Sequence, residues 1–296
     1  MRFLLAFMWL LHWLPLPVLG RFASAIGSLL FLLMRSRRNI ALTNFRLCMP
    51  ELSEAERVAL ARRHFQAYSR SVWERAILWW APESRLRRLI QLDPAVPLAA
   101  MAARPTILLC PHFVCLDVAG VAVAMEATAS SMYVAQKNAV FDEVLRRGRE
   151  RFRPVHLFTR QDGIKPIIRS LRQRVPYFML PDMDFGDREA AFVPFFGVPA
   201  ATLTAPGRIA LATDAQVIPV VATFLPNYAG WRVSFYPAFE NFPGDDLVES
   251  ARRMNAFIEA RVREAPAEYF WTHKRFKTRP EGEPSVYGAP QPAEQS

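Results

Sequence analysis

At 296 residues the chain is long for one compact unit and short for two large ones, so a main globular domain with an appendage is the expected plan. It is 52% hydrophobic and 22% charged, which excludes both a disordered chain and a bundle made only of transmembrane helices. The formal charge of +10, carried almost wholly by arginine, suits an anionic lipid surface, an acidic protein or nucleic acid. For nucleic acid, however, the sequence offers no zinc-finger spacing, RNA-binding aromatic signature or basic heptad array.

Residues 3–19 are apolar apart from His12, Pro15 and Pro17, and residues 22–34 are broken only by small residues such as Ser24, Gly27 and Ser28. Crossing a bilayer takes about 20 apolar residues, so the two stretches read together as one span or one re-entrant anchor with a break near Pro15. Arg35, Arg37 and Arg38 after the apolar stretch, against Arg2 before it, place the bulk of the chain on the cytoplasmic side. A cleaved signal peptide is the first alternative, with a weak small-residue site at 23–25. A buried helical hairpin is the second. The expected division is an anchor over 1–38, the main domain over 39–280, and a loose tail rich in Pro, Gly, Glu and Gln over 281–296.

Residues 53–80 are helical in pattern. Ser53 and Glu56 open the segment as a capping box, Val58, Leu60, Phe65, Tyr68 and Val72 follow at helical spacing, and Trp73, Trp79 and Trp80 enrich its end. Beyond Pro105, apolar runs at 106–110, 131–135, 155–159, 175–180, 217–225 and 232–236 read as strands. Helical patterns occupy 116–125, 141–152, 163–172, 205–213 and 247–262. Such alternation predicts an α/β domain whose mixed, largely parallel sheet is flanked by helices.

Three polar clusters interrupt this pattern. The first runs from Cys110 to Asp117 and contains His112. On one continuous helix His112 and Asp117 would point about 140° apart. With Pro111 ending a strand, His112 falls instead in the strand-to-helix loop and Asp117 in the first helical turn, from where a carboxylate can turn back to the ring. An Asp on one ring nitrogen fixes the tautomer and leaves the other to take a proton. His-x4-Asp alone is a weak pattern, equally read as a loop histidine beside a helix cap. Cys110 and Cys115 permit a thiol nucleophile, but they lie in apolar runs where buried, inert cysteine is the default, and a metal site lacks a fourth ligand nearby. With Cys48 they make three, too few and too odd for a disulfide framework, as in a reducing compartment.

The second cluster places Asp182, Asp184 and Asp187 after a strand, where they could bind a metal, orient substrate donors or form only a solvated turn, and the aromatic stretch 192–197 that follows lines either a core or an apolar pocket. The third, 271–280, interleaves His273, Lys274, Arg275, Lys277 and Arg279 with aromatics, a composition suited to phosphates near an interface, to nucleic acid, or to a merely solvated charge run.

Taken in this order, the motifs resemble the late acyltransferases of lipid A biosynthesis, the lauroyl/myristoyl transferases of Gram-negative bacteria. The residues that carry the resemblance are His112-x4-Asp117, the Pro181-Asp182-x-Asp184-Phe185-Gly186 turn, Phe192 to Gly197 with Pro199 to Thr202, and Trp271 to Pro280. Asn138 to Arg149 is similar to a further family stretch, with Ala139 in place of the usual Pro, and many members carry Glu where this chain has Asp117.

The resemblance implies a glycerolphosphate-acyltransferase-like fold with an N-terminal membrane-anchor helix, on the cytoplasmic face of the bacterial inner membrane. It implies an acyl carrier protein thioester as donor, a hydroxyl of a lipid A precursor as acceptor, and neither metal nor cofactor. His112 would be the general base, Asp117 its orienting carboxylate, and Arg149 the cation at the oxyanion or a phosphate. Asp182, Asp184, Arg208, Lys274, Arg275 and Lys277 would contact substrate. Glycerol-3-phosphate or lysophosphatidate acyltransferases share the His-x4-Asp core, but they carry Asn where Pro111 stands and Pro-Glu-Gly in place of Pro181-Asp182-Met183. A non-catalytic protein that binds the membrane surface is the alternative from another class.

Overall fold

Pro15 and Pro17 divide the apolar N-terminal segment into two helices, α1 (Arg2–Leu11) and α2 (Leu16–Leu33). Pro17 sits in the first turn of α2, where its missing N–H costs no hydrogen bond. The computed structural model describes residues 1–93 and 98–288. Met34 joins α2 directly to α3 (Arg35–Cys48), and α4 (Glu54–Trp73) starts at Ser53 with the expected capping box. The Ser53 hydroxyl accepts from the Glu56 N–H at 3.3 Å, and the Glu56 carboxylate accepts from the Ser53 N–H at 2.7 Å.

The helical stretch read over 53–80 is two helices. It breaks at Glu74, a buried residue whose carboxylate takes Arg70 Nε at 2.7 Å and Trp231 Nε1 at 3.0 Å, and resumes as α5 (Arg75–Trp80).

The second helix of the hairpin lies along α4. Leu16, Leu19, Gly20, Ala23, Gly27 and Phe31 form its buried face. Gly27 lets the two backbones meet, since a Cβ there would stand 2.5 Å from the Phe65 carbonyl oxygen, and Gln66 donates to the Ser28 hydroxyl at 2.8 Å. Outward, Phe3, Phe7, Trp13, Phe22, Leu29, Leu32 and Leu33 are exposed. By length and composition α2 is long and apolar enough to cross a membrane.

The chain then passes through α6 (Glu83–Leu89), β1 (Ile90–Leu92) and α7 (Leu98–Ala103) into the layered domain. There follow β2 (Thr106–Leu109), α8 (Leu116–Glu126), β3 (Ala129–Met132), α9 (Ala139–Glu150), β4 (Val155–Phe158), α10 (Lys165–Arg172) and β5 (Tyr177–Met179). A hairpin of β6 (Ala190–Phe195) and β7 (Val198–Leu203) leads to α11 (Ala205–Thr213), β8 (Gln216–Phe224), β9 (Trp231–Phe235) and α12 (Leu247–Glu264). Seven strands form one sheet in the order β1-β9-β8-β2-β5-β3-β4, parallel at every pairing except β8 with β9. This is the mixed, largely parallel sheet that the alternation predicts.

Alternate residues of the central strands face the two helical layers. Leu108 and Phe178 pack with α1, α5 and α8, while Ile107, Leu109, Tyr177 and Met179 pack with α10, α11 and α12. The strand read at 131–135 lies two residues earlier, because the pairing with β4 begins at Ala129 opposite Val155.

The 192–197 stretch is the antiparallel hairpin, turning at Phe196 and Gly197 with the positive φ values of 52° and 77° that a two-residue turn requires. Val193 and Phe195 point into the core and Phe192 is exposed, so the aromatics divide between the two faces rather than lining one pocket. Pro194 and Pro199 oppose each other where the alternating ladder asks for no N–H. The tail expected to be loose from 281 is tied down as far as Tyr287. Its hydroxyl accepts from the Phe276 N–H at 3.0 Å and donates to Asn44 Oδ1 at 2.5 Å. Residues 289–296 of that tail lie outside the described residues.

Candidate active site

His112 follows β2 and Asp182 follows β5, so both stand at the carboxyl edge of the parallel strands, where open α/β sheets hold their ligands. The loop that carries His112 is fixed by a second segment. Phe270 N–H donates to the His112 carbonyl at 2.9 Å, Val114 N–H donates to the Glu268 carbonyl at 2.8 Å, and Phe113 bridges Tyr269. Phe270 also stacks against the imidazole, with ring centroids 6.5 Å apart.

Asp182 grips the histidine twice, with Oδ1 2.7 Å from Nδ1 and Oδ2 accepting the backbone N–H at 2.9 Å. An ionised carboxylate only accepts, so Nδ1 carries a proton, and whenever the ring is neutral its lone pair lies on Nε2. Among the described residues no polar group reaches Nε2, and the side chain keeps 18% of its surface exposed. Burial alone would raise the Asp182 carboxyl. The charge and two hydrogen bonds of His112, with Arg275 nearby, outweigh it and hold Asp182 below the usual carboxylate range.

Asp117 stands in the first turn of α8 as expected, but the structure corrects its partner. Its Oδ2 takes Arg75 Nε at 2.7 Å and its Oδ1 takes Arg149 Nη2 at 2.9 Å, so two guanidiniums occupy the carboxylate and the ring is left to Asp182. Against the opposing effect of burial, the two cations hold Asp117 well below the usual range. Arg149 lies 5.8 Å from the Tyr133 ring centroid, and the Tyr133 hydroxyl bonds Asp142. Asn138 caps α9 by accepting from the Phe141 N–H, so the 138–149 stretch positions Arg149 from a capped helix.

Beside these groups opens a cleft between α8 and the sheet. Leu116, Gly120, Val121, Met132, Leu157 and Phe178 line it with Asp117 and Arg149, the two charged residues in its wall. Its empty space, open mouth included, is about 650 Å³.

Several residues expected to contact substrate do other work. Asp184 accepts Thr278 N–H and Oγ1–H, both at 2.7 Å, and Gly186 N–H at 3.0 Å, so its carboxylate closes the 182–187 turn onto the C-terminal segment. Arg275 is turned inward and buried, donating to the Ala201 carbonyl at 2.7 Å and to Thr202 Oγ1 at 2.8 Å, which braces the hairpin. Arg208 pairs with Glu189 at 3.1 Å, on the layer of the sheet opposite α8. Lys274 and Lys277 are exposed, with Lys274 Nζ 5.6 Å from the Tyr287 ring centroid.

Arg75 and Phe270 were not picked out from the sequence. Arg75 stands 42 residues before its partner and follows no local pattern, whereas Phe270 immediately precedes the 271–280 cluster. Glu74 and Glu268 form a second buried carboxylate group behind the site, where burial pushes each up to about 7 against the pull of Arg70 and, for Glu268, of the Phe224 N–H. Burial likewise pushes the thiols of Cys48, Cys110 and Cys115 up, which leaves them poor nucleophiles.

The lipid A biosynthesis lauroyltransferase of Escherichia coli (strain K12) is 31% identical over 283 residues, covering 95% of this chain and 92% of the relative. The palmitoleoyltransferase of the same pathway and organism is 30% identical over 286 residues, covering 96% and 92%. The myristoyltransferase is 34% identical over 277 residues, covering 91% and 82%. Among solved structures, the 1-acyl-sn-glycerophosphate acyltransferase of Thermotoga maritima gives a TM-score of 0.38 at 12% identity, over 82% of this chain and 96% of that one, a likeness too loose to argue from. The family described as bacterial lipid A biosynthesis acyltransferase matches residues 2–278, and the chain belongs to it.

Proposed function

We propose that this acyltransferase moves a fatty acyl group from an acyl carrier protein thioester to a hydroxyl of a lipid A precursor, with His112 as general base. The observation that carries this reading is the double grip of Asp182 on His112, which leaves Nε2 as an acceptor on the loop between Cys110 and Leu116, two residues that line an apolar cleft. Nε2 takes the acceptor's hydroxyl proton, and the oxygen attacks the thioester carbonyl carbon. The tetrahedral intermediate expels the thiolate, and His112 returns the proton to sulfur. Arg149 stabilises the developing oxyanion or a substrate phosphate, and Asp117 with Arg75 holds that cation at the cleft wall.

The hairpin of α1 and α2 sits on the cytoplasmic face of the inner membrane. Its outward Phe, Trp and Leu side chains enter the lipid, and Arg2, Arg21, Arg35, Arg37 and Arg38 lie near anionic headgroups. A helix held along α4 by Gly27 favours immersion in one leaflet over a free transmembrane tether. The net charge of +10 suits both an acidic carrier protein and the phosphates of the lipid.

Membranes containing the protein are incubated with a tetra-acylated lipid A precursor and acyl carrier protein thioesters, beside a His112→Ala control, and the products are weighed by mass spectrometry. A gain of one acyl chain, absent in the control, is the expected result. Acylation of lysophosphatidate alone would move the protein to phospholipid synthesis, and an unchanged gain in His112→Ala would remove the general base.

A further inference from the structure

The wall of the cleft has one position without a side chain. Gly120 lies on α8 one turn beyond Asp117, about 4.5 Å further along the helix axis, and it lines the cleft with Leu116, Asp117 and Val121. A Cβ built on Gly120 meets no atom within 4 Å. Other helical glycines are packed tightly: a Cβ on Gly148 would stand 2.3 Å from Trp79, and one on Gly207 2.9 Å from Leu247. Nor does the backbone need glycine at 120, which is an interior helical position where alanine is the more favourable residue. Packing and conformation both leave the position free, and what glycine preserves there is open space.

The parallel strands give that space a direction. Met132, Leu157 and Leu180 lie at or near the carboxyl ends of β3, β4 and β5, on the edge that holds His112. Ala129 and Val155, paired as the first residues of β3 and β4, line the other end. An extended hydrocarbon entering from the His112 edge passes Gly120 on its way to Ala129.

We propose that Gly120 is the chain-length gauge of this enzyme: the size of the side chain at position 120 decides how long an acyl chain the cleft accepts from the donor thioester. The proposal rests on the acyl-transfer reading above and adds to it the residue that sets donor specificity. The donor chain is the natural occupant, because its carbonyl carbon is the atom attacked beside Nε2 and its methylenes must lie away from that atom.

The test uses full-length protein in detergent with one acceptor and an equimolar mixture of octanoyl, decanoyl, dodecanoyl, tetradecanoyl and hexadecanoyl carrier protein thioesters. Wild type, Gly120→Ala and Gly120→Leu are compared by the mass of the product. The expected result is a stepwise move of the product distribution toward shorter chains. The ratio of the longest to the shortest product falls by roughly tenfold or more in Gly120→Leu and less in Gly120→Ala, in keeping with the size of methylene discrimination in apolar pockets. Gly120→Ala adds one methyl group into open space, so it serves if the leucine variant does not fold.

An unchanged distribution in variants that still transfer acyl groups would overturn the gauge and leave the acyl-transfer reading standing. Loss of every product in a Gly120→Ala protein with unaltered melting temperature would overturn it as well. A shift that follows the acceptor's chain length instead of the donor's would overturn the donor assignment. Absence of transfer by the wild type from any donor would remove the acyl-transfer reading, and the gauge with it.

Discussion

Asp182 meets His112 at two points, Nδ1 at 2.7 Å and the backbone N–H at 2.9 Å, so one carboxylate sets both the rotation of the ring and the position of the loop that bears it. Replacing Asp182 with Asn allows the amide to donate to Nδ1, which moves the ring proton to Nε2 and removes the base. Asp182→Asn is expected to lower kcat by about 10²–10⁴-fold, the range of a general base, with a much smaller change in KM. A variant that keeps more than a tenth of wild-type kcat would show that the tautomer is set elsewhere.

Arg75 and Arg149 share Asp117. Arg75→Met leaves a largely buried carboxylate with one cation, which costs about 1–3 kcal/mol of stability and lets Arg149 move at the cleft wall. The melting temperature and kcat are both expected to fall. Arg75→Lys, with a point charge in place of the fork, is expected to recover the stability better than the rate. Equal recovery of both would mean that the pair serves folding alone.

The pH dependence of stability carries a signature of the carboxylates behind the site. Glu268 is raised from 4.5 to about 7, so between these values the folded protein binds more protons than the unfolded one. Its contribution is fully present below about 4.5 and is lost as pH rises through about 7. The depressed Asp117 and Asp182 act in the opposite sense, below the unfolded aspartate value of 3.8. Glu268 is therefore expected to pull Tm down from pH 5 toward pH 7, a decline set against the rise that His64 and His273, both lowered from 6.5 to about 4, contribute below 6.5. Glu268→Gln, which keeps an acceptor for the Phe224 N–H, should flatten that decline. An identical slope in both proteins would assign the decline to another group.

Two glycine-to-alanine changes are expected to move stability in opposite directions. Gly27→Ala forces a methyl group to 2.5 Å from the Phe65 carbonyl oxygen and drives α2 off α4, a cost of about 1–3 kcal/mol. Gly120→Ala places its methyl group in open space on a regular helix and gains about 0.5–1 kcal/mol. Denaturant titration in a single detergent compares them directly, and two changes of the same sign would contradict the packing at one of the sites.

The periodic parts of the chain were legible in the sequence. The alternation of apolar runs with helical patterns gives the parallel sheet, and Pro111 places His112 in the loop and Asp117 in the first turn of α8. The pairing of charges was not legible, because the partners are brought together by the sheet and not by local spacing. Asp182 is 70 residues from His112, and Arg75 is 42 from Asp117. Arg275 reads as a phosphate ligand among exposed lysines, and only the fold reveals that hairpin carbonyls turn it inward. The hairpin itself was hidden by Pro194 and Pro199, which argue against a strand until their register shows that they face each other.

The close approach at Gly27 also governs how far the protein can reach. A chain whose longest apolar helix is seated along its own body, and joined to α3 through the single residue Met34, has little slack between that helix and the layered domain. On the proposed reading, Nε2 of His112 therefore keeps one height above the membrane surface that receives the hairpin. On that reading only substrates that present their hydroxyl at that depth would come within range, and the seat of α2 would act as a filter on position before any side chain in the cleft acts as a filter on size.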